Sequence, residues 1–185
     1  MSKALVILAD GFEEIEAVTV IDVLRRGGVE TTAASLSDEK TVKRAHGLAI
    51  AADASFFEVS SGEFDAIVLP GGGEGTENLR KSEAVIDRLR RQKAEGRLIC
   101  AICAAPLVLV DAGVLSRDQH ITCYPSCVVQ LDRKAANVPV VADGDVVTGQ
   151  APGASLLFAL VVLSALAGDG TARKIARNMV TDVLE

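Results

Sequence analysis

The chain has 185 residues, enough for about one domain that buries roughly 70% of the surface its unfolded form exposes. Nearly half of it is apolar (49%), a quarter is charged (24%), and Gly (16) and Pro (5) are sparse, which excludes disordered, collagenous and low-complexity classes. A net charge of −6, one Tyr, five Phe and no Trp disfavour nucleic acid, because polyphosphate is repelled and few rings are present for bases to stack on.

In chain order, residues 4–9 form a short apolar run predicted as a strand, and 15–26 follow as an amphipathic helix. Ile15, Val18, Ile21 and Val23/Leu24 share its apolar stripe, Asp22, Arg25 and Arg26 lie opposite, and Gly27-Gly28 ends it. Further strands are predicted at 29–34, Ala66–Leu69 and Leu98–Ile102, with shorter ones at Ile121 and 138–141. Residues 83–95 read as a helix through Val85, Ile86 and Leu89, its Arg and Lys forming a solvated face. Segments 35–44 and 116–119 read as surface loops, and 154–167 as a buried helix, too short for the roughly 20 residues that cross a bilayer. Strands without polar alternation are covered on both faces, so the succession implies an α/β sandwich: a mostly parallel sheet with helices on both sides, in one domain over 1–185. Met1-Ser-Lys runs at once into the first strand, without the order of segments that export demands, so a cytoplasmic location with reduced thiols is expected.

Ligands of such sheets bind beyond the carboxyl ends of the strands. Three loops lie there: Asp10-Gly-Phe-Glu-Glu-Ile-Glu16, Pro70-Gly-Gly-Gly-Glu-Gly75 and Cys103-Ala-Ala-Pro106. Cys100-Ala-Ile-Cys103 and Cys123-Tyr-Pro-Ser-Cys127 approach the spacing of a four-thiolate zinc site, but Cys100 lies inside a strand and should project differently from Cys103. A thioredoxin-type dithiol is disfavoured because only its second cysteine reaches a helix start. Cys103 alone fits a nucleophile elbow. It follows a strand, small residues Ala101 and Ala105 stand two positions either side, and Pro106 suits the first turn of the helix that begins there. The free N–H groups of that helix are expected to lower the thiol pKa. Cys100 reads as structural, and Cys123 and Cys127 as packed residues or resolving thiols.

The glycine loop lacks the Gly-Lys-Ser/Thr ending of a phosphate cradle, Thr76 interrupts the dinucleotide spacing, and Glu74 and Glu77 repel phosphate. Its N–H groups suit an oxyanion instead, or a tight turn with no further role. Glu13, Glu14 and Glu16 are accounted for by the helix dipole, yet Glu16 shares a stripe with Val20. If that stripe is covered, its carboxyl must pair or take up a proton. Periodicity does not separate Glu16 from Glu14. His46 and His120 are both remote from Cys103 in sequence and read as surface or packing residues, so a Cys-His-Asp triad has weak support.

Gly11-Phe-Glu-Glu-Ile-Glu16, Ile21-Asp-Val-Leu-Arg-Arg26, Val68-Leu-Pro-Gly-Gly72, Ala101-Ile-Cys-Ala-Ala-Pro106 and Pro152-Gly-Ala-Ser155, with the first strand, closely resemble the ThiJ/PfpI family. The likeness is to the branch that holds the Parkinson-associated deglycase and bacterial YajL-like proteins, and it spans nearly the whole chain. It implies a flavodoxin-like, class I glutamine amidotransferase-like domain, a homodimer, and a reactive cysteine at Cys103 with a protonated glutamate at Glu16. It also implies backbone N–H groups offered to the site by Gly72 and Ala104, and no metal or cofactor. Tyr124 occupies the place of a histidine found in some members, and His46 that of an arginine near the partner subunit's site. The activity so implied is glyoxalase III or protein deglycase chemistry on methylglyoxal or its early adducts. The alternative is an oxidative-stress sensor or redox-regulated chaperone in which Cys103 is oxidised to sulfinic acid.

Overall fold

The computed structural model describes residues 1–43, 46–47 and 49–182. In chain order the elements are β1 (Lys3–Leu8), α1 (Glu14–Arg26), β2 (Glu30–Ser35), β3 (Thr41–Lys43), β4 (Ala49–Ala51), β5 (Ala54–Ser55), α2 (Phe56–Val59), β6 (Ala66–Leu69), α3 (Gly73–Lys81), α4 (Glu83–Ala94), β7 (Leu98–Ile102), α5 (Pro106–Ala112), β8 (Val140–Asp143), β9 (Val146–Gly149), α6 (Ser155–Ala167) and α7 (Asp169–Asn178). Short 3-10 turns at Pro125–Gln130 and Pro152–Ala154 complete the chain.

Seven strands form one sheet in the order β5-β2-β1-β6-β7-β9-β8, and β3 and β4 pair as a separate antiparallel ribbon. Every pairing in the large sheet is parallel except β8 with β9. The order reverses at β1, which lies between β2 and β6, so the loops after β1, β6 and β7 gather at one end of the sheet. This is a flavodoxin-like α/β arrangement.

Strand β1 shows why the apolar runs do not alternate with polar residues. Ala4, Val6 and Leu8 pack into a core with α1, α6 and α7, whereas Leu5, Ile7 and Ala9 pack into a second core with α3, α4 and α5. Each such residue is out of water, and a fully buried Val, Leu or Ile contributes about 1.5–3 kcal/mol. Helix α6 is apolar almost all round because α1 and α7 cover it on the side away from the sheet. Among the described residues, no helix is long and apolar enough to cross a membrane.

The structure corrects several expectations. Ile121 is buried but not in a strand: the Thr122 N–H donates to the Thr148 hydroxyl, a side chain, so no ladder forms. The strand expected at 138–141 runs Val140–Asp143, and its partner β9 went unforeseen. The segment expected as a loop at 35–44 carries β3, and Arg44 lies outside the described residues. Helix α4 is not solvated along all its charges. Arg88 is buried with one guanidinium N–H donating to the Gly62 carbonyl at 3.3 Å, and Gln92 is buried, donating to the carbonyls of Phe64 and Leu98.

Candidate active site

Cys103 follows the last residue of β7, its N–H donating to the Gly149 carbonyl at 3.0 Å as if the strand continued. Its φ is then +66°, a left-handed conformation that costs a side-chain-bearing residue about 1–2 kcal/mol. This is the sharp elbow expected from the flanking Ala101 and Ala105, both fully buried. Helix α5 starts immediately after, with Pro106 at its first position. The turn aims the thiol back over the strand ends, where only 9% of the residue remains exposed.

The loop after β6 closes over the other side. A Cβ placed on Gly71 would sit 2.7 Å from the Cys103 Cβ, 2.9 Å from the Ile102 carbonyl oxygen and 3.0 Å from Glu16 Oε2, so no larger residue fits at this point. Gly72, at φ +91°, presses its backbone against Gly11 and Glu13 and leads into α3. The Gly71 peptide is used at both ends: its N–H donates to Glu16 Oε2 at 2.7 Å, and its carbonyl accepts from the Glu13 N–H at 3.0 Å.

Tertiary packing separates the three glutamates that periodicity left together. Glu13 caps α1, its carboxylate accepting from the Ile15 N–H at 3.5 Å. Glu14 lies 3.2 Å from Nδ1 of His46, a largely exposed side chain. Glu16 turns inward and is 1% exposed, with Oε1 buried and lacking any ordinary hydrogen-bond partner, beside Cys103.

Burial pushes the Glu16 carboxyl up to about 7, against the Gly71 N–H and the Cys103 contact, which both pull it down. The Cys103 thiol is pushed up to about 12, first by burial and then by the charge and hydrogen bonding of Glu16, while the Gly72 and Ala104 N–H groups favour the thiolate. This overturns the expectation of a thiol depressed by the helix start, because two backbone donors do not outweigh a dry cleft and a carboxylate at contact distance. The two groups titrate as a pair, losing one proton near neutrality and holding the second to high pH. Those values leave the single proton of the pair on sulfur, and the Gly72 and Ala104 N–H groups are the donors that stabilise a thiolate when that proton passes to Glu16.

The remaining candidates fall at different distances from this centre. Gly72 and Ala104 direct their N–H groups at the Cys103 sulfur itself. Tyr124 donates its N–H to the Cys103 carbonyl at 2.7 Å, and the residue is 42% exposed. His46 meets Glu14 rather than Cys103, and His120 pairs with Asp143 at 3.1 Å on the surface. Cys100 is fully buried, and all four thiols are free. Sequence reasoning did not find Gly71. The signal was present in the close packing that a run of three glycines permits, but which glycine meets the cysteine depends on how the loops after β6 and β7 converge.

A family model described as DJ-1/PfpI matches residues 2–165. The chain belongs to the DJ-1/PfpI family. It is 42% identical over 184 residues to protein dj-1beta of Drosophila melanogaster, covering 97% of this chain and 98% of the relative. The crystal structure of Drosophila melanogaster DJ-1beta superimposes with a TM-score of 0.94 over 98% of this chain and 100% of that one, at 41% identity. Toxoplasma gondii DJ-1 in a structure described as oxidized gives the same score at 36% identity, over 98% and 99% of the two chains. A protein of Pyrococcus abyssi named a deglycase is 32% identical over 154 residues, 82% of this chain and 91% of its own. The DJ-1/PfpI fold of this chain thus brings its elbow cysteine, its inward glutamate and its glycine loop to one end of the sheet.

Proposed function

We propose that the protein is a cofactor-independent enzyme of the glyoxalase III/deglycase type, acting in the cytoplasm on methylglyoxal or its early adducts. The observation that carries this reading is the proton-sharing contact between Glu16 and Cys103 in a site lined by backbone donors. Glu16 holds the thiol proton while the sulfur attacks the aldehyde carbon, forming the carbon–sulfur bond of a hemithioacetal. Charge then moves from sulfur to the former carbonyl oxygen, and the Gly72 and Ala104 N–H groups, freed from the thiolate, hold it. Glu16 gives its proton to that oxygen and, now a carboxylate, removes the proton on that carbon and returns it to the adjacent one, which converts the hemithioacetal to a thioester. Water cleaves the thioester, releasing the hydroxy acid and regenerating the thiol; from an adduct, the amine or thiol is the other product. A raised carboxyl pKa suits this work, since one group must give and take protons near neutral pH.

The Pyrococcus abyssi relative named a deglycase supports the same reading. Lactate production from methylglyoxal tests it: Cys103→Ser and Glu16→Gln should each abolish turnover, and wild-type rates in either would overturn the assignment.

The second reading, an oxidative-stress sensor or redox-regulated chaperone, is favoured by the same acid. Glu16 can donate a hydrogen bond to a sulfinate formed on Cys103, and the Toxoplasma gondii relative is described as oxidized. Peptide mass spectrometry after mild peroxide should then find two added oxygens at Cys103 before any other cysteine. We further propose a homodimer formed through α1, whose Ile15 and Val18 are 55% and 46% exposed on the face turned away from the core.

A further inference from the structure

The catalytic reading leaves Cys123 and Cys127 without a role. The 3-10 turn Pro125–Gln130 bends the chain so that both approach one peptide oxygen. The Tyr124 carbonyl accepts the Cys127 N–H at 2.8 Å and the Cys123 thiol at 3.4 Å. The two side chains pack with Leu107 in one small cluster, as free thiols. Their chemistry is unequal. Burial and then the neighbouring Cys127 push the Cys123 thiol up to about 11. Burial also raises Cys127, but a hydrogen bond from Ser126 and the charge of Arg80 oppose it. Arg80 is itself held in place by Asp111 at 2.6 Å and Glu77 at 2.8 Å. Of the two clustered thiols, Cys127 is the one whose burial is opposed by a hydrogen bond and a positive charge, so it is the better placed to attack first and Cys123 to resolve.

We propose that Cys123 and Cys127 form a reversible disulfide that acts as a redox switch on the neighbouring Cys103 turn. The Cys127 thiolate attacks one sulfur of a low-molecular-weight disulfide. That S–S bond breaks, and its other half leaves as a thiolate that takes up a proton. Cys123 loses its proton to solvent and attacks the Cys127 sulfur of the mixed disulfide, expelling the second half as a thiol. The protein gives up two electrons and two protons, and the small disulfide is reduced to two thiols.

The link to the active site is the Tyr124 backbone, whose N–H and carbonyl lie in the two peptides either side of its Cα. Its N–H holds the Cys103 carbonyl at 2.7 Å, on a residue already at φ +66°. Closing the disulfide removes the Cys123 S–H donor from the Tyr124 carbonyl and draws residues 123 and 127 together. The peptide that fixes the elbow must shift with them.

The test needs no catalytic assay, so it stands apart from the enzymatic reading. Trypsin cleavage after Arg117 and Arg133 releases peptide 118–133, which carries Cys123 and Cys127 and no other cysteine. The native protein is equilibrated with oxidised and reduced glutathione, quenched by alkylation and digested. Under oxidising ratios the peptide should become about 2 Da lighter than the dithiol, carry no alkyl group, and revert with dithiothreitol, in wild type and in Cys103→Ser alike. Native iodoacetamide labelling of Cys103 should change at least about threefold between the two states. Separate alkylation of both thiols under excess oxidised glutathione, a glutathione adduct that never resolves, or a crosslink to Cys103 instead would overturn the proposal. So would a closed disulfide that leaves Cys103 labelling unchanged.

Discussion

Gly71 and Cys103 meet so closely that a methyl group on the glycine would lie 2.7 Å from the cysteine Cβ. The same glycine N–H holds Glu16 Oε2 at 2.7 Å, so one peptide spaces the acid from the sulfur. Gly71→Ala should therefore destabilise the protein by about 1–3 kcal/mol, as overpacking in a tight core does. It should also slow Cys103 alkylation far more than Gly73→Ala, whose added Cβ meets nothing within 4 Å. Denaturant melts with iodoacetamide kinetics on both variants check this, and equal labelling rates would contradict the spacing role.

The pH dependence of stability should carry the signature of Glu16. Its folded pKa, about 7, lies above the ordinary 4.5, so the native state binds more protons than the unfolded state between those values. Stability must then fall by a total on the order of 3 kcal/mol as pH rises from about 4.5 through 7, and hold level until about 9, where the raised Cys103 and Cys123 thiols begin a second fall. Glu16→Gln should flatten this slope, which urea unfolding at a series of pH values measures.

Reactivity should follow the same proton. Alkylation of Cys103 should rise about tenfold per pH unit below 7 and flatten above it, as the pair loses its first proton. The inflection should vanish in Glu16→Gln, and an inflection that persists near 7 in that variant would mean that another group controls the sulfur.

Strain at the elbow predicts an inverted ranking. At φ +66° glycine is unstrained and alanine is not, so Cys103→Gly should be more stable than Cys103→Ala by about 1 kcal/mol. In an ordinary helix or strand the order is reversed. Thermal melts of the two variants give the sign directly.

The outward face of α1 offers a separate test. Val18→Asp places a charge where the proposed homodimer needs apolar contact, and should yield a monomer by light scattering while leaving the secondary structure intact. A wild-type protein that is already monomeric at micromolar concentration would remove the dimer.

Much of the architecture is legible in the chain because β1, β6 and β7 are buried on both faces and so appear as unbroken apolar runs. The extent of helix α1 is legible from its periodicity and its glycine stop but its buried face is not: Ala17, Val20, Val23 and Leu24 pack inward, while Ile15 and Val18 of the expected stripe are exposed. Strand β9, four residues after a polar turn, gives no such run, and its place beside β7 is a long-range pairing with no local trace. Helix α3 escaped notice because it begins within the glycine loop, where propensity argues against a helix. Ile121 misled in the opposite direction: it is as apolar as a strand residue, but the chain beside it is held by a threonine side chain.

The order of residues alone determined the layered sheet and the elbow at Cys103, because both follow from local patterns: apolar runs between helices, and small residues around a cysteine before a proline. Which of three neighbouring glutamates enters the site, that Gly71 spaces it from the sulfur, and that the thiol holds its proton more tightly rather than less were decided only in three dimensions. Those outcomes depend on desolvation and on contacts between loops far apart in the chain, Glu16 with Gly71 and Gly71 with Cys103, quantities that exist only once the sheet has brought the loops together.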